Sequence, residues 1–116
     1  MKTVVLVILS IIAFTSVVFA GPYKTDYEAV AVSQTDQVLG STGGIGDLLE
    51  RLIIYVSTSA TGTVAIKDGT GNPMNISPAN IAVGVYSIEI GARSTSGAWK
   101  VTTGAGASVM AVGSFK

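Results

Sequence analysis

The chain has 116 residues, of which 48% are apolar and only 12% are charged, and its seven basic and seven acidic side chains give a formal net charge of zero. It contains no cysteine and no histidine, which excludes a disulfide framework, a thiolate or imidazole zinc site and a Ser–His or Cys–His catalytic pair. Net neutrality argues against nucleic acid as a partner, because binding it requires a dense set of Lys and Arg. We therefore expect one domain that is not an enzyme and that uses no metal or cofactor.

Residues 1–20 (MKTVVLVILSIIAFTSVVFA) carry one charge, Lys2, ahead of a long and mostly apolar run. A positive start, an apolar segment and a small residue at Ala20 are typical of a secretory signal peptide that is cleaved after Ala20. The alternative is a retained anchor helix over Val4–Ala20, which would span about 26 Å, slightly less than the roughly 30 Å bilayer core. We therefore divide the chain into residues 1–20, a signal peptide or membrane anchor, and residues 21–116, a β domain.

Residues 21–116 alternate short apolar runs with turns that contain Gly, Asn and Pro, which is typical of an all-β domain. The first half of Leu48–Val56 is ambiguous, because its leucine spacing also fits a helical turn that would pair Asp47 with Arg51 on the surface. We expect about seven or eight strands, as in a small antiparallel β-sandwich or jelly roll. The predicted strands are Tyr27–Ser33, Val38–Leu39, Leu48–Val56, Thr63–Lys67, Met74–Ile76, Val83–Ile90, Ala98–Thr102 and Ser108–Phe115.

Two of the predicted strands are apolar on both faces. In a strand, alternate residues point to opposite sides, and both sides of Leu52–Val56 and of the last strand carry apolar residues. In a small sandwich one side of each strand normally meets water, so a second apolar side requires a cover. Low charge also favours association, and a monomer with a Ser-, Thr- and Gly-rich surface is the alternative. The cover could be a loop, the small helix or another subunit. We predict an oligomer or a larger assembly whose interface includes Leu52, Ile53, Ile54, Tyr55, Val56, Met110, Val112 and Phe115.

Three other features suggest chemistry but are better explained as structure. The glycine-rich run Gly40–Gly46 lacks the lysine of a phosphate-binding loop, so a flexible turn is favoured. Asp26 and Glu28 share a strand face, yet solvated carboxylates that protect a sheet edge explain them better than an acid–base pair. Asp68–Asn72 lacks the distal acid of a calcium loop, and its Asp-Gly step favours a hairpin turn.

Trp99 is the only tryptophan of the chain. Together with the tyrosines Tyr23, Tyr27, Tyr55 and Tyr86 it could form a platform on which sugar rings stack. A single tryptophan in a small β domain is more often part of the core. The first interpretation would make the protein an exported adhesive or glycan-binding module with Trp99 in contact with the ligand.

Five blocks of strand and turn cover most of the region after Ala20: Ser33–Gly40 (SQTDQVLG), Gly46–Val56 (GDLLERLIIYV), Val64–Gly69 (VAIKDG), Gly97–Gly104 (GAWKVTTG) and Val109–Phe115 (VMAVGSF). Together they resemble small structural proteins of tailed bacteriophages. The resemblance implies a β-sandwich component of the virion surface, such as a capsid decoration or head-fibre protein, whose partners are copies of itself and a viral capsid shell. It brings no catalytic residues to carry over.

The leader on its own indicates a secreted or membrane-anchored protein. A membrane-anchored surface filament subunit, in contact with the membrane through residues 4–20, is therefore a further alternative to the virion component and the glycan-binding module.

Overall fold

The computed structural model describes residues 26–59 and 62–116, and the regular structure in these ranges consists of eight β-strands. This confirms the all-β prediction. No helix in the described ranges is long and apolar enough to cross a membrane, and the predicted signal peptide or anchor lies outside them. The strands are β1 (Asp26–Val30), β2 (Gln37–Val38), β3 (Leu48–Val56), β4 (Val64–Asp68), β5 (Met74–Ser77), β6 (Gly84–Arg93), β7 (Trp99–Thr102) and β8 (Ala107–Ser114).

The strands form two antiparallel sheets of four. Sheet A has the order β1-β8-β3-β6 and sheet B the order β2-β7-β4-β5. β1 pairs with β8, β2 with β7, β3 with β6 and β4 with β5. The first four strands therefore pair in reverse order with the last four, and the chain reverses direction between β4 and β5. Successive pairs along this double ribbon lie alternately in sheet A and sheet B.

The core lies between the two sheets and is built by alternation along the strands. Leu52, Ile54 and Val56 of β3 are completely buried, whereas Tyr55 between them is exposed. β8 alternates in the same way, with Val109 and Ala111 buried, as the sequence predicts. The buried apolar cluster comprises Val30, Leu39, Leu49, Leu52, Ile54, Val56, Val64, Ile66, Trp99, Val101, Ala107, Val109 and Ala111.

The helical turn considered for the start of β3 is wrong. β3 is extended from its first residue, where Leu48 pairs with Arg93 of β6 and with Ser114 of β8. The predicted surface pair of Asp47 with Arg51 is wrong for the same reason, because residues four apart in a strand are about 13 Å apart. Asp47 is buried instead, and Arg51 forms an ion pair with Glu89 across the sheet at 2.9 Å.

The first predicted strand is too long at its C-terminal end. β1 stops at Val30 because the chain turns there towards sheet B, with Ser33 in the left-handed region at φ 56°. Thr103, which follows β7, holds this turn: its hydroxyl donates to the carbonyl of Ala31 at 2.6 Å and accepts from the amide of Gln34 at 2.9 Å.

Candidate functional site

The side of sheet A that faces away from sheet B is apolar and is not covered by the described residues. Tyr27 is 74% exposed, Val85 69%, Tyr55 50% and Met110 42%. These four side chains come from four different strands, so the patch extends across the whole sheet. We call it the apolar outer face, and its members are Tyr27, Ala29, Ile53, Tyr55, Val85, Met110 and Val112.

Strand register brings these residues into contact range. Met110 of β8 lies opposite both Ala29 of β1 and Ile53 of β3. Tyr55 of β3 lies opposite Val85 of β6. Directly opposite residues in an antiparallel pair have Cβ atoms about 4.5–5.5 Å apart, so these side chains form one mainly apolar surface. Two serines interrupt it, Ser108 opposite Tyr55 and Ser87 opposite Ile53.

A shallow groove of about 480 Å³ runs over this face. Ala29, Ile53, Tyr55, Val85 and Met110 are among the residues that line it. The nearest charges on this side are Arg51 and Glu89, which neutralise each other in their ion pair. The face therefore offers apolar contact and shape to a partner, with no net charge.

The corresponding side of sheet B is polar and basic. Lys67 of β4 lies directly opposite Lys100 of β7. Asp36 approaches this pair, with its Oδ2 3.2 Å from Lys67 Nζ. The hydrogen bond from Lys67, assisted by that from the Thr102 hydroxyl, holds the pKa of Asp36 below its ordinary value. The two outer sides of the sandwich thus differ in character, and only that of sheet A has the composition of a protein contact surface.

The structure divides the predicted interface residues into two groups. Four of them lie on the apolar outer face, and the others belong to the core or pack against it. The outward group consists of Ile53, Tyr55, Met110 and Val112, and the inward group consists of Leu52, Ile54, Val56 and Phe115. Leu52, Ile54 and Val56 are completely buried within the chain and are closed to a second copy, whereas Phe115 is partly buried against the core.

Sequence reasoning did not include Tyr27, Ala29 and Val85 in this surface. Each of these residues alternates with an inward neighbour, as Val85 does with Tyr86, so the signal was present strand by strand. The sequence does not show that these strands share a sheet. The order that places β1 and β6 beside β8 and β3 is set by pairings between residues that are far apart in the chain.

Trp99 belongs to the core. It is 3% exposed, and its indole Nε1 donates to the backbone carbonyl of Asp47 at 2.9 Å. In this structure the ring is not accessible to a sugar. The exposed aromatic side chains of the described residues are Tyr27 and Tyr55.

The glycine-rich loop uses its amides within the chain. Gly40 N donates to Glu28 Oε1 at 2.8 Å, and Gly44 N donates to Asp47 Oδ2 at 3.0 Å. Gln37 Nε2 also donates to Glu28, at 3.1 Å. The expectation that Glu28 is a solvated edge carboxylate is therefore wrong, because its carboxylate joins β1 to the loop that begins in sheet B.

Asp68 has a similar structural role at the end of β4. Its carboxylate accepts hydrogen bonds from the amides of Ser96 and Thr95 and from the Thr95 hydroxyl, at 2.8–3.0 Å. These bonds lower the pKa of Asp68, and the amide of Ser96 makes the largest contribution. β4 and β5 form the hairpin that the Asp-Gly step predicts, with Gly69 at φ 56°. In the described residues no three acidic side chains come together as a metal site.

Comparisons with known proteins find no matching family model, no matching curated protein and no matching solved structure.

Proposed function

We propose that this protein is a non-enzymatic structural component of a virus particle, a capsid decoration or head-fibre-like protein, and that it assembles with copies of itself through the apolar outer face of sheet A. The observation that carries the assembly is the exposure of Tyr27, Tyr55, Val85 and Met110 on one side of one sheet. The virion context comes from the resemblance of the strand and turn blocks to small structural proteins of tailed bacteriophages.

The size of the apolar outer face supports a specific contact. An aromatic side chain presents roughly 150–250 Å², so Tyr27 and Tyr55 together expose on the order of 250 Å². With Val85, Met110 and their neighbours the face reaches about 500 Å², near the upper end for a monomeric protein. Two copies face to face would bury about twice that area, which meets the lower limit of about 1,000 Å² for a biological interface.

The strand arrangement supports the finer fold that we propose, a jelly roll. A jelly roll has eight strands in two sheets, and the double ribbon described above, with its pairs β1–β8, β2–β7, β3–β6 and β4–β5, has this layout. Jelly rolls occur in viral capsid proteins and in lectins. The burial of Trp99 favours the first of these roles over a sugar platform built on that residue.

The virion assignment is tested on particles. Virus particles should be purified from cultures that produce the protein, analysed by quantitative mass spectrometry and labelled with an antibody against residues 21–116. We expect the protein in the particles at a fixed ratio to the shell subunit, with label on the particle surface. Protein that is found only in the medium or in the membrane fraction, while purified particles lack it, contradicts the assignment and favours the adhesin or the anchored filament subunit.

A further inference from the structure

The open edge of sheet A is a second surface of interest, distinct from the apolar outer face. β6 is the last strand of the sheet and pairs only with β3 among the described strands. It has ten residues, Gly84–Arg93, and its burial alternates between half-buried and exposed along the whole length. An edge strand of this length presents a row of unpaired backbone N–H and C=O groups to a partner strand.

The other three edges of the sandwich are shorter or better protected than this one. Short edges, charges, bulges and prolines are the usual means of preventing edge-to-edge pairing. β1 has five residues and begins at the exposed Asp26, β2 has two residues, and β5 has four residues between Pro73 and Pro78. In β6 there is no Pro, and its bulge at Gly91 and its Arg93 lie at the C-terminal end, so residues 84–90 form a regular edge. The one charged residue of this stretch, Glu89, forms an ion pair with Arg51.

The inner side of β6 is also incompletely covered. Tyr86, Ile88 and Ile90 point towards the core but are only half-buried. A cleft of about 450 Å³ opens beside them, with Ile76 and Ile81 in its lining. A strand added to the edge would place its own inward side chains over this cleft.

We propose that β6 pairs with β6 of a second copy, antiparallel and about a twofold axis at Ile88. In this register Ile88 lies opposite Ile88 of the partner subunit, Tyr86 lies opposite the partner's Ile90 on the inner side, and Ser87 lies opposite the partner's Glu89 on the outer side. Apolar residues thus meet apolar residues, and the carboxylate meets a hydroxyl.

The neighbouring registers that keep inward residues opposite inward residues fit less well. A twofold axis at Glu89 places two carboxylates directly opposite each other, which is destabilising. An axis at Ser87 places Glu89 opposite the apolar Val85. The axis at Ile88 avoids both mismatches, and its regular pairing covers residues 86–90, because the bulge at Gly91, whose φ is 61°, interrupts the ladder beyond them.

The pairing joins the two copies of sheet A into one eight-stranded sheet, in which the two apolar outer faces lie side by side. It does not depend on the proposed virion role, and it uses backbone groups of β6 rather than the side chains of the apolar outer face.

Cysteine crosslinking of the full chain tests this proposal, since the natural sequence has no cysteine. The variant is Ile88→Cys, because residue 88 lies opposite residue 88 of the second copy in the proposed register. The two Cβ atoms are then about 4.5–5.5 Å apart, close to disulfide range. The control is Thr35→Cys, an exposed position in the turn between β1 and β2, at the opposite edge of the sandwich from β6 and outside the apolar outer face. After mild oxidation, non-reducing gels and intact mass measure the disulfide-linked dimer.

We expect Ile88→Cys to form the dimer at least about tenfold faster than Thr35→Cys. Random collisions predict the opposite order, because Thr35 is exposed and Ile88 is half-buried. A Thr35→Cys dimer that forms as fast or faster overturns the proposal. If Ile88→Cys does not fold, a second experiment mixes Ser87→Cys with Glu89→Cys. These two outward positions lie opposite each other in the proposed register.

Random pairing in an equimolar mixture gives twice as much heterodimer as either homodimer. The heterodimer should clearly exceed this statistical ratio, and a yield at or below it also overturns the proposal. Adding Met110→Lys to Ile88→Cys separates the two surfaces, because Met110 lies on the apolar outer face, away from the β6 edge. The edge disulfide should persist in the double variant while contact through the apolar outer face is lost. Loss of the disulfide in a folded double variant contradicts pairing at the edge.

Discussion

At the scale of single residues, the sequence predicts which side of a strand a residue faces but not its polar partner. Alternation places Trp99 on the same face as Val101, and both are buried. The acceptor of the Trp99 indole is the carbonyl of Asp47, 52 residues away. No local pattern contains that information, and for the same reason Asp47 was expected at the surface.

Asp68 gives a prediction that depends on pH. Its folded pKa lies below the ordinary value of 3.8 because the amides of Ser96 and Thr95, in the loop between β6 and β7, bind the carboxylate. A lowered folded pKa means that the stabilisation is fully present above pH 4 and is lost as the pH falls through the folded pKa. Asp68→Asn should lower the free energy of unfolding by about 1 kcal/mol at pH 7. The difference from the natural protein should shrink as the pH falls below 4.

Urea unfolding at pH 7 and at acid pH measures this difference. Asp26→Asn is the control, because Asp26 is exposed at the start of β1 and its replacement should change stability by less than about 0.5 kcal/mol. A difference for Asp68→Asn that grows towards acid pH would show that its carboxylate does not hold the loop.

At the scale of strands, the sequence locates all eight elements but not their irregularities. Predicted and observed strands overlap in every case, because period-two alternation and turn residues are local signals. The bulge in β3 between Leu49 and Arg51 was not predicted. It lies where β3 is paired on both sides, next to Gly113 of β8, whose close contact with the Leu48 carbonyl leaves no room for a Cβ.

Gly113→Ala should therefore destabilise the protein. A Cβ at this position would meet the carbonyl oxygen of Leu48, a backbone atom that cannot move without breaking the pairing of β3 with β8. We expect a loss of at least about 2 kcal/mol, seen as a lower melting temperature. Gly44→Ala is the matched control, because its nearest neighbour is the flexible Lys116 side chain at 3.8 Å. Equal melting temperatures for the two variants would contradict this account of the bulge.

At the scale of the whole molecule, the sequence predicts that some strands are apolar on both faces. It does not predict which of the two faces is buried inside the sandwich. Leu52, Ile54 and Val56 were expected to lie between subunits and instead form the core. Covering them requires sheet B, whose order depends on contacts between distant strands. The apolar outer face remains exposed. Like the low charge and the strands that are apolar on both faces, it favours assembly.

The most direct test of this account is sedimentation velocity over a wide concentration range, on the natural protein and on two variants that add one positive charge to opposite sides of the sandwich. Met110→Lys places it on the apolar outer face, where Met110 is 42% exposed, and Val38→Lys places it on sheet B, where Val38 is 41% exposed. We predict that the natural protein and Val38→Lys assemble alike, and that Met110→Lys forms no species larger than the dimer paired at β6, with an unchanged melting temperature. A natural protein that stays monomeric at the highest concentration, or two variants that behave identically, would contradict assembly through the apolar outer face.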